Sequence, residues 1–286
     1  MTPTYQTAIE MLPDGAVMAE CGPMRLVISA AVGKVTQRET AVQAAETSFN
    51  YLERIARLRG VLSRRMDEIP KDLEDSLGLQ MVRSVLAVGD EDLTPMAAVA
   101  GTIADAVADY LFARGMSKVV VDNGGDVAVR LRRGASVRVG IRPEVGRQDI
   151  SVVIALDSRS GSWGVTTSGL GGRSLTRGVA SAVTVIARSA SVADAASTAI
   201  ANASFVTDDG VIQRRAEEIE PQTDLVGLPV TVKVAQLAQE KKIRAVSNAI
   251  KRAEALIDKD IIFGAFVAVQ GEVAMTRFFR DCLVNR

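Results

Sequence analysis

The middle of the chain carries six short segments rich in Val and Ile, and longer segments with helical spacing stand on both sides of them. Gly, Asn or Pro separates the six, which are residues 118–122, 126–131, 137–142, 151–156, 163–167 and 179–187. In a parallel α/β fold, single strands would alternate with single helices, and this sequence does not show that alternation. The pattern therefore predicts an α+β fold of antiparallel or mixed sheets packed by helices, with the first four segments forming a meander.

The helix after residue 94 has the clearest boundaries, because Thr94 can cap it, Pro95 suits its first position and Gly115 stands past its end. Its inner face is unusually small and includes Ala97, Ala98, Ala100, Gly101, Ala104 and Ala108. A sheet or a ligand can therefore approach its backbone closely. Further helices are predicted from Thr36, after Pro70, at 192–203 and at 239–257, and an N-terminal hairpin at 16–20 and 24–30.

The sequence contains no histidine, which removes Ser-His-Asp and Cys-His nucleophile activation and imidazole metal ligands. Basic and acidic residues both number 34, and only 4% of residues are aromatic. Neither a net positive charge nor a base-stacking surface therefore favours nucleic acid as a partner. No charge-free stretch reaches the roughly 20 residues of a spanning helix, so we expect no membrane partner either.

The two cysteines, Cys21 and Cys282, form no CxxC pair, and residues 1–20 lack the basic start and apolar run of a secretory signal. We predict a cytoplasmic protein. The apolar run at 261–269 has two interpretations. As an edge strand it favours a homodimer, and as a buried central strand it explains the same pattern without one.

The first candidate site is Asp122-Asn123-Gly124-Gly125-Asp126, between two predicted strands. Its paired glycines allow positive φ and let a ligand approach the backbone closely. Asn-Gly is also the strongest short hairpin signal, so a tight turn with solvated aspartates explains the segment equally well.

The second candidate site is TTSGLGGR at residues 166–173, where hydroxyls precede a glycine-rich loop that ends in a guanidinium. Thr167 and Ser168 supply hydroxyl donors, Gly169 begins the loop, and Arg173 can bind two phosphate oxygens at once. Neither a P-loop ending nor a GxGxxG fingerprint is present in the sequence. A phosphate site and a flexible hairpin connection are both open.

The third candidate site lies at a predicted helix start, where Asp194 and Thr198 stand four residues apart and share one face. A carboxylate, a hydroxyl and a nearby backbone carbonyl are hard oxygen donors that suit Mg²⁺, with waters or ligand phosphates completing its octahedron. Ser191 and Asp194 also form a capping-box pattern, which needs no metal.

Taken in order, these segments resemble the ApbE family, the FAD:protein FMN transferases. The corresponding stretches are AAVAGTIAD at 97–105, DNGGD at 122–126, TSG at 167–169, SAVTVIA at 181–187 and ADAAST at 193–198. The resemblance covers roughly residues 92 to 205. It implies a duplicated T-fold-like arrangement, which we expect to form one compact domain over residues 1–286.

The resemblance also implies functions for these residues. Asp194 and Thr198, with a main-chain oxygen near Ala97, would hold Mg²⁺ beside the pyrophosphate of FAD. The segments 123–126 and 167–173 would bind the phosphorylated ligand. The family reaction is attack on that pyrophosphate by a protein Thr hydroxyl, which transfers FMN and releases AMP.

The chain departs from the family pattern where flavin and acceptor contacts are expected. Ala100 stands in place of the family lysine, Thr102 in place of the following tyrosine, and residues 173–178 replace a His-x-Asp-Pro segment. Two hypotheses follow. One is a Mg²⁺-dependent flavin transferase or FAD pyrophosphatase-like enzyme acting on FAD or another phosphorylated ligand. The other is a noncatalytic flavin, nucleotide or pterin binding protein, or an assembly factor on the same scaffold.

Overall fold

The computed structural model describes residues 5–143, 152–172 and 174–284. Its strands are β1 (Thr7–Met11), β2 (Val17–Cys21), β3 (Met24–Val32), β4 (Val35–Thr36), β5 (Lys118–Asn123), β6 (Val127–Leu131), β7 (Ser136–Ile141), β8 (Val152–Asp157), β9 (Ser162–Ser168), β10 (Ala182–Ala187), β11 (Val211–Arg215), β12 (Pro229–Val234), β13 (Gly264–Val269) and β14 (Glu272–Met275). Its α-helices are α1 (Arg38–Leu62), α2 (Ser76–Val88), α3 (Val99–Ala113), α4 (Ala190–Ala203), α5 (Ala216–Ile219), α6 (Gln239–Ile257) and α7 (Arg277–Asp281).

Ten of the strands form one sheet in the order β1-β2-β3-β5-β6-β9-β10-β13-β14, with β4 paired to β3. Every pairing in it is antiparallel. The predicted α+β fold of antiparallel sheets packed by helices is therefore confirmed. The order also repeats one pattern, because a hairpin, helices and a second hairpin occur on each side of the β6–β9 pairing. The T-fold-like duplication itself stays a prediction.

The predicted meander was wrong at one step. β5 and β6 pair as expected, but β6 pairs next with β9, whereas β7 and β8 form a separate two-stranded sheet. All five residues of β6 are buried, so both faces of this strand are covered. β7 alternates between buried and exposed residues, with Val137 inward and Arg138 outward, which suits a surface hairpin.

The apolar run at 261–269 lies inside the sheet. Its strand β13 pairs with β10 on one side and β14 on the other, and all six residues are buried. The edge-strand interpretation was wrong, because the two edges of the sheet path are β1 and β14. The observation that favoured a homodimer is therefore removed, and the homodimer stays a prediction.

Two apolar cores cover the two faces of the sheet. The larger core joins the sheet to α1, α2, α3, α4 and α6. The smaller core contains Trp163, Phe266 and Phe279 and lies beneath the β7–β8 hairpin and α7. Thr94 accepts a hydrogen bond from the Met96 N–H as predicted, but its helix starts with a 3-10 segment, Pro95–Ala98, before α3.

Helix α4 lies unusually close to its neighbours at three glycines. A Cβ at Gly101 would lie 2.2 Å from the Ala190 carbonyl oxygen, one at Gly164 would lie 2.1 Å from that of Ser189, and one at Gly178 would lie 1.8 Å from that of Ala201. The small inner face of α3 therefore packs against another helix. The sequence had predicted that a sheet or a ligand would approach this face. These contacts fix α4 against α3 and β9.

Among the described residues, one helical segment, Pro95–Ala113, is long and apolar enough to cross a membrane by length and composition alone. In the structure half of it is buried inside the protein. Its Asp105 forms an ion pair with Arg130. Packing in the core thus accounts for its apolar character.

We expect Gly164→Ala to lower the free energy of unfolding by about 2–3 kcal/mol, because the new methyl overlaps the Ser189 carbonyl and the backbone must shift. Gly60 in α1 has no atom within 4 Å of its Cβ position, so Gly60→Ala should instead stabilise by about 0.5–1 kcal/mol. Urea unfolding of both variants checks this, and equal effects would contradict the close approach.

Candidate functional site

A cavity of about 1070 Å³ opens where one end of the sheet meets the starts of α3 and α4. The segment 122–126, Thr167, Ser168, Asp194 and Thr198 all line it. Ala97 lines it as well. The three candidate sites of the sequence thus share one cavity, although 76 residues separate Asp122 from Thr198 in the chain.

The turn between β5 and β6 is both a hairpin turn and a cavity wall. Asn123 N–H donates to the Asp126 carbonyl at 3.1 Å, and Gly125 N–H donates to Asp122 Oδ1 at 2.7 Å. Gly124 and Gly125 have φ of 68° and 109°, which glycine adopts without strain. Asn123 Nδ2 donates to the Ala100 carbonyl at 3.1 Å and so ties the turn to α3. The hairpin turn is therefore confirmed, and ligand binding at this turn stays a prediction.

Strand register brings the second segment beside this turn. β6 and β9 are antiparallel with Val127 opposite Val165, so the residues just before β6 lie at the same sheet end as Thr167 and Ser168. The Thr167 hydroxyl lies 2.8 Å from that of Thr184 on β10. The hydroxyls at the end of β9 are thereby placed on the cavity wall.

The glycine loop after β9 contributes unevenly. Gly171 and Gly172 line the cavity, and Gly172 N–H donates to the Gly169 carbonyl at 3.2 Å. Gly169 is not among the lining residues. Its φ is 154°, and a Cβ there would lie 2.7 Å from the Ser181 carbonyl, so glycine is required for packing. Arg173 lies outside the described residues.

The capping-box interpretation of Ser191 and Asp194 was wrong. Helix α4 starts two residues earlier than that pattern requires, and the Ser189 side chain accepts from the Val192 N–H as its N-cap. Asp194 lies one turn inside the helix. Its Oδ2 accepts a hydrogen bond from the Gly101 N–H of α3 at 2.9 Å. Asp194 and Thr198 are both partly exposed on the same side of α4, facing the cavity.

A buried ion pair between Asp105 and Arg130 lies next to the first turn of α4. The two carboxylate oxygens of Asp105 accept from the N–H groups of Ala190 and Ser191 at 3.0 and 2.9 Å. Arg130 Nη2 donates to Asp105 at 2.9 Å, and its Nε donates to Asp109 at 2.6 Å. Burial alone would lower the pKa of Arg130, but the hydrogen bond to Asp109 and the charge of Asp105 outweigh it, so that pKa is raised.

The contacts of Asp105 with Arg130 and with the start of α4 were not predicted from the sequence. A usable signal was present, because Asp105 interrupts the apolar side of its helix and Arg130 interrupts a Val-rich strand. Charged residues in such positions are rarely buried unless they are paired. What the pattern does not give is the partner, since residue 105 and residues 190–191 are distant in the chain.

The oxygen donors on the cavity wall fit a magnesium ion shared with a ligand. Among the described residues no group of three or more His, Cys, Asp or Glu side chains gathers to hold a metal. Asp194 and Thr198 supply one carboxylate and one hydroxyl one helical turn apart, with Ala97 on the same wall. Mg²⁺ is commonly bound by one or two carboxylates, and phosphate oxygens and waters complete its shell.

The cavity is also lined by charged residues outside the three candidate segments. Arg59 Nη2 donates to the Gln222 carbonyl at 2.7 Å, and the Thr94 hydroxyl donates to Asp224. These contacts bring the loop at 220–225 to the cavity. The guanidiniums that line it are Arg25, Arg59, Arg138 and Arg142, and the carboxylates are Asp122, Asp126, Asp194, Glu220 and Asp224. None of the described lining residues is aromatic.

Comparison with known proteins identifies the family. The family model described as "AbpE bacteria" matches residues 9–275. The chain belongs to this ApbE-like family. The match extends well beyond the residues 92–205 that carried the resemblance in the sequence, and it confirms that resemblance.

Sequence relatives of this ApbE-like chain include UPF0280 proteins from archaea. Those of Methanococcus aeolicus and Methanopyrus kandleri are 36% identical over 134 residues and 43% identical over 148 residues. The alignments cover 44% and 49% of this chain and 52% and 56% of the relatives. The chain thus spans about half the length of these curated relatives.

Among solved structures, the ApbE protein of Thermotoga maritima is similar over 99% of this chain and 100% of its own, with a TM-score of 0.55 and 12% sequence identity. At this identity the likeness shows a shared fold. It agrees with the helix-packed antiparallel sheet described above.

The geometry of the β5–β6 turn is testable. Asp122→Ala removes the acceptor of the Gly125 N–H and should lower the free energy of unfolding by about 1 kcal/mol. Asp122→Asn keeps a carbonyl oxygen at that position and should lose less. Urea unfolding compares the two, and an alanine variant as stable as the asparagine variant would contradict the assigned contact.

Proposed function

We propose that this ApbE-like protein binds FAD or a related pyrophosphate ligand in its main cavity and cleaves the pyrophosphate with Mg²⁺ bound at Asp194, Thr198 and a main-chain oxygen near Ala97. The observation that carries the proposal is the convergence of three segments on one cavity. They supply oxygen donors for a divalent cation, a glycine-containing loop and a turn with exposed backbone. Together these are the groups that a pyrophosphate ligand requires.

Each wall of the cavity has a distinct part in binding. Ser168 offers a hydroxyl and Gly171 a backbone N–H to phosphate oxygens. Gly124 and Gly125 carry no side chain that would keep a ligand away from the turn. Val27, Met96 and Ile103 provide apolar surface for a ring system. Bound Mg²⁺ supplies charge stabilisation at the phosphoryl oxygens.

The reaction that we propose is displacement at phosphorus. An acceptor hydroxyl forms a bond to the phosphorus of the FMN half, and the bond from that phosphorus to the bridging oxygen breaks. AMP leaves with the bonding electron pair, and the proton of the hydroxyl passes to solvent. A protein hydroxyl as acceptor gives a flavinylated protein, whereas water gives free FMN.

A noncatalytic flavin, nucleotide or pterin binding protein is the second candidate. The observation that favours it is the position of Ala100 on the cavity wall, at the place of the family lysine, in a chain without histidine. The chain thus has fewer side chains that could transfer protons in the reaction, whereas Asp194 and Thr198 for the cation and the glycine loop for phosphate are present. A cytoplasmic location remains part of the proposal, and the cysteine usage supports it.

AMP release from FAD tests the proposal. We expect release that requires Mg²⁺, stops on chelation, and falls at least about 100-fold in Asp194→Ala, because the cation that stabilises the developing phosphoryl charge loses its carboxylate ligand. Asp194→Ala also removes the acceptor of the Gly101 N–H, which should lower the free energy of unfolding by about 1 kcal/mol. Circular dichroism and the unfolding midpoint show whether the variant is folded at the assay temperature.

The control is Asp209→Asn, which changes an exposed carboxylate outside the cavity and should leave the rate unchanged. Release that survives in folded Asp194→Ala would overturn the metal assignment. Saturable FAD binding without AMP release would favour the binding protein instead. The absence of both binding and release would contradict both candidates.

A further inference from the structure

We propose that Asp105, held in place by Arg130, is a positioning residue that sets Asp194 and Thr198 for Mg²⁺ and the ligand phosphates. The inference rests on the proposed function and adds a residue that touches neither cation nor ligand. It follows from how the two helices of the site hold each other at their N-termini.

Asp105 anchors the first turn of α4. Its two carboxylate oxygens accept from the N–H groups of the first two helical residues, Ala190 and Ser191. N–H groups in the first turn have no partner within the helix, so they need one from outside. Here a carboxylate on α3 supplies it, and the negative charge is also favourable at the positive end of the helix dipole.

The anchoring is reciprocal. Asp194, one turn into α4, accepts from the N–H of Gly101, the third residue of α3. Each helix thus satisfies an N–H group at the start of the other with an aspartate. The backbones are in contact at the same place, since a Cβ at Gly101 would lie 2.2 Å from the Ala190 carbonyl oxygen. The direction of the Asp194 side chain therefore depends on where the first turn of α4 is held.

Arg130 fixes Asp105 in turn. Both side chains are only 7% exposed, and a charge so deeply buried requires a partner. Arg130 also binds Asp109, whose side chain is 63% exposed, and donates to the Val129 carbonyl. The planar guanidinium thereby holds Asp105 at an angle that lets both of its oxygens face α4.

The consequence is specific to the cation. Residues that orient metal ligands from behind change metal affinity by about 10–100-fold when they are altered. Loosening the first turn of α4 should displace Asp194 and Thr198 together and weaken the Mg²⁺-dependent part of ligand binding. The apolar surface that Val27 provides lies on β3 and not on α4.

The test compares Asp105→Asn with Asp109→Asn. Both remove one carboxylate charge from Arg130, but only Asp105 contacts α4. FAD fluorescence is titrated with protein at a series of Mg²⁺ concentrations. Asp105→Asn should raise the Mg²⁺ concentration for half-maximal binding by about tenfold or more. Asp109→Asn should leave it unchanged.

Hydrogen exchange of peptides covering residues 189–198 gives a second readout that needs no ligand. Asp105→Asn should speed exchange in this segment, and Asp109→Asn should not. Unchanged exchange or an unchanged Mg²⁺ midpoint in Asp105→Asn, with only a lower unfolding midpoint, overturns the positioning function. A wild-type chain with no Mg²⁺-dependent FAD binding overturns the proposed function instead, and exchange then still tests the anchor.

Arg130→Lys covers the case in which Asp105→Asn does not fold. It keeps the buried positive charge, but a single ammonium cannot hold both Asp105 and Asp109 as the fork of arginine does. We expect a rise of the Mg²⁺ midpoint in the same direction and a smaller one. A folded Arg130→Lys with the wild-type midpoint and wild-type exchange contradicts the inference.

Discussion

The carboxylate of Asp105 connects three parts of the molecule by hydrogen bonds and an ion pair. It lies on α3, accepts two hydrogen bonds from the start of α4, and neutralises Arg130 on a central strand. An unpaired arginine at this depth would be strongly unfavourable, and so would two unpaired N–H groups at a buried helix start. Helix–helix and helix–sheet contacts therefore meet at one side chain, close to the backbone contact of α3 with α4 at Gly101.

The cavity follows from this arrangement. With α4 fixed at its N-terminus, Asp194 and Thr198 face the sheet end where the β5–β6 turn and the end of β9 meet. The antiparallel register of β6 with β9 decides that these two segments lie side by side. A cavity assembled in this way has helices or strands on three sides, which suits the phosphate ligand and cation that we propose, because both must be held in a defined geometry.

Local patterns predicted much of the fold. The small-residue helix, its Thr94 cap and most strands of the central region are present near their predicted positions, because capping residues, glycine and β-branched residues act over a few neighbours. The errors concern the β6–β9 contact, the interior place of β13 and the Ser189 cap that replaces the Ser191–Asp194 box. They depend on residues that are distant in the chain or on a helix boundary two residues away.

The sequence by itself determined which chemical groups are available. It has no imidazole, and it contains the aspartate motifs DNGGD at 122–126 and ADAAST at 193–198 and three hydroxyls at 166–168. It also determined the family, because these motifs occur in a fixed order. Only the tertiary structure decided that these motifs share one cavity with Arg59 and the loop at 220–225. It also decided that Asp105 binds both Arg130 and the first turn of α4. The physical reason is that hydrogen bonds and buried charges find their partners by proximity in space, which a linear pattern does not record.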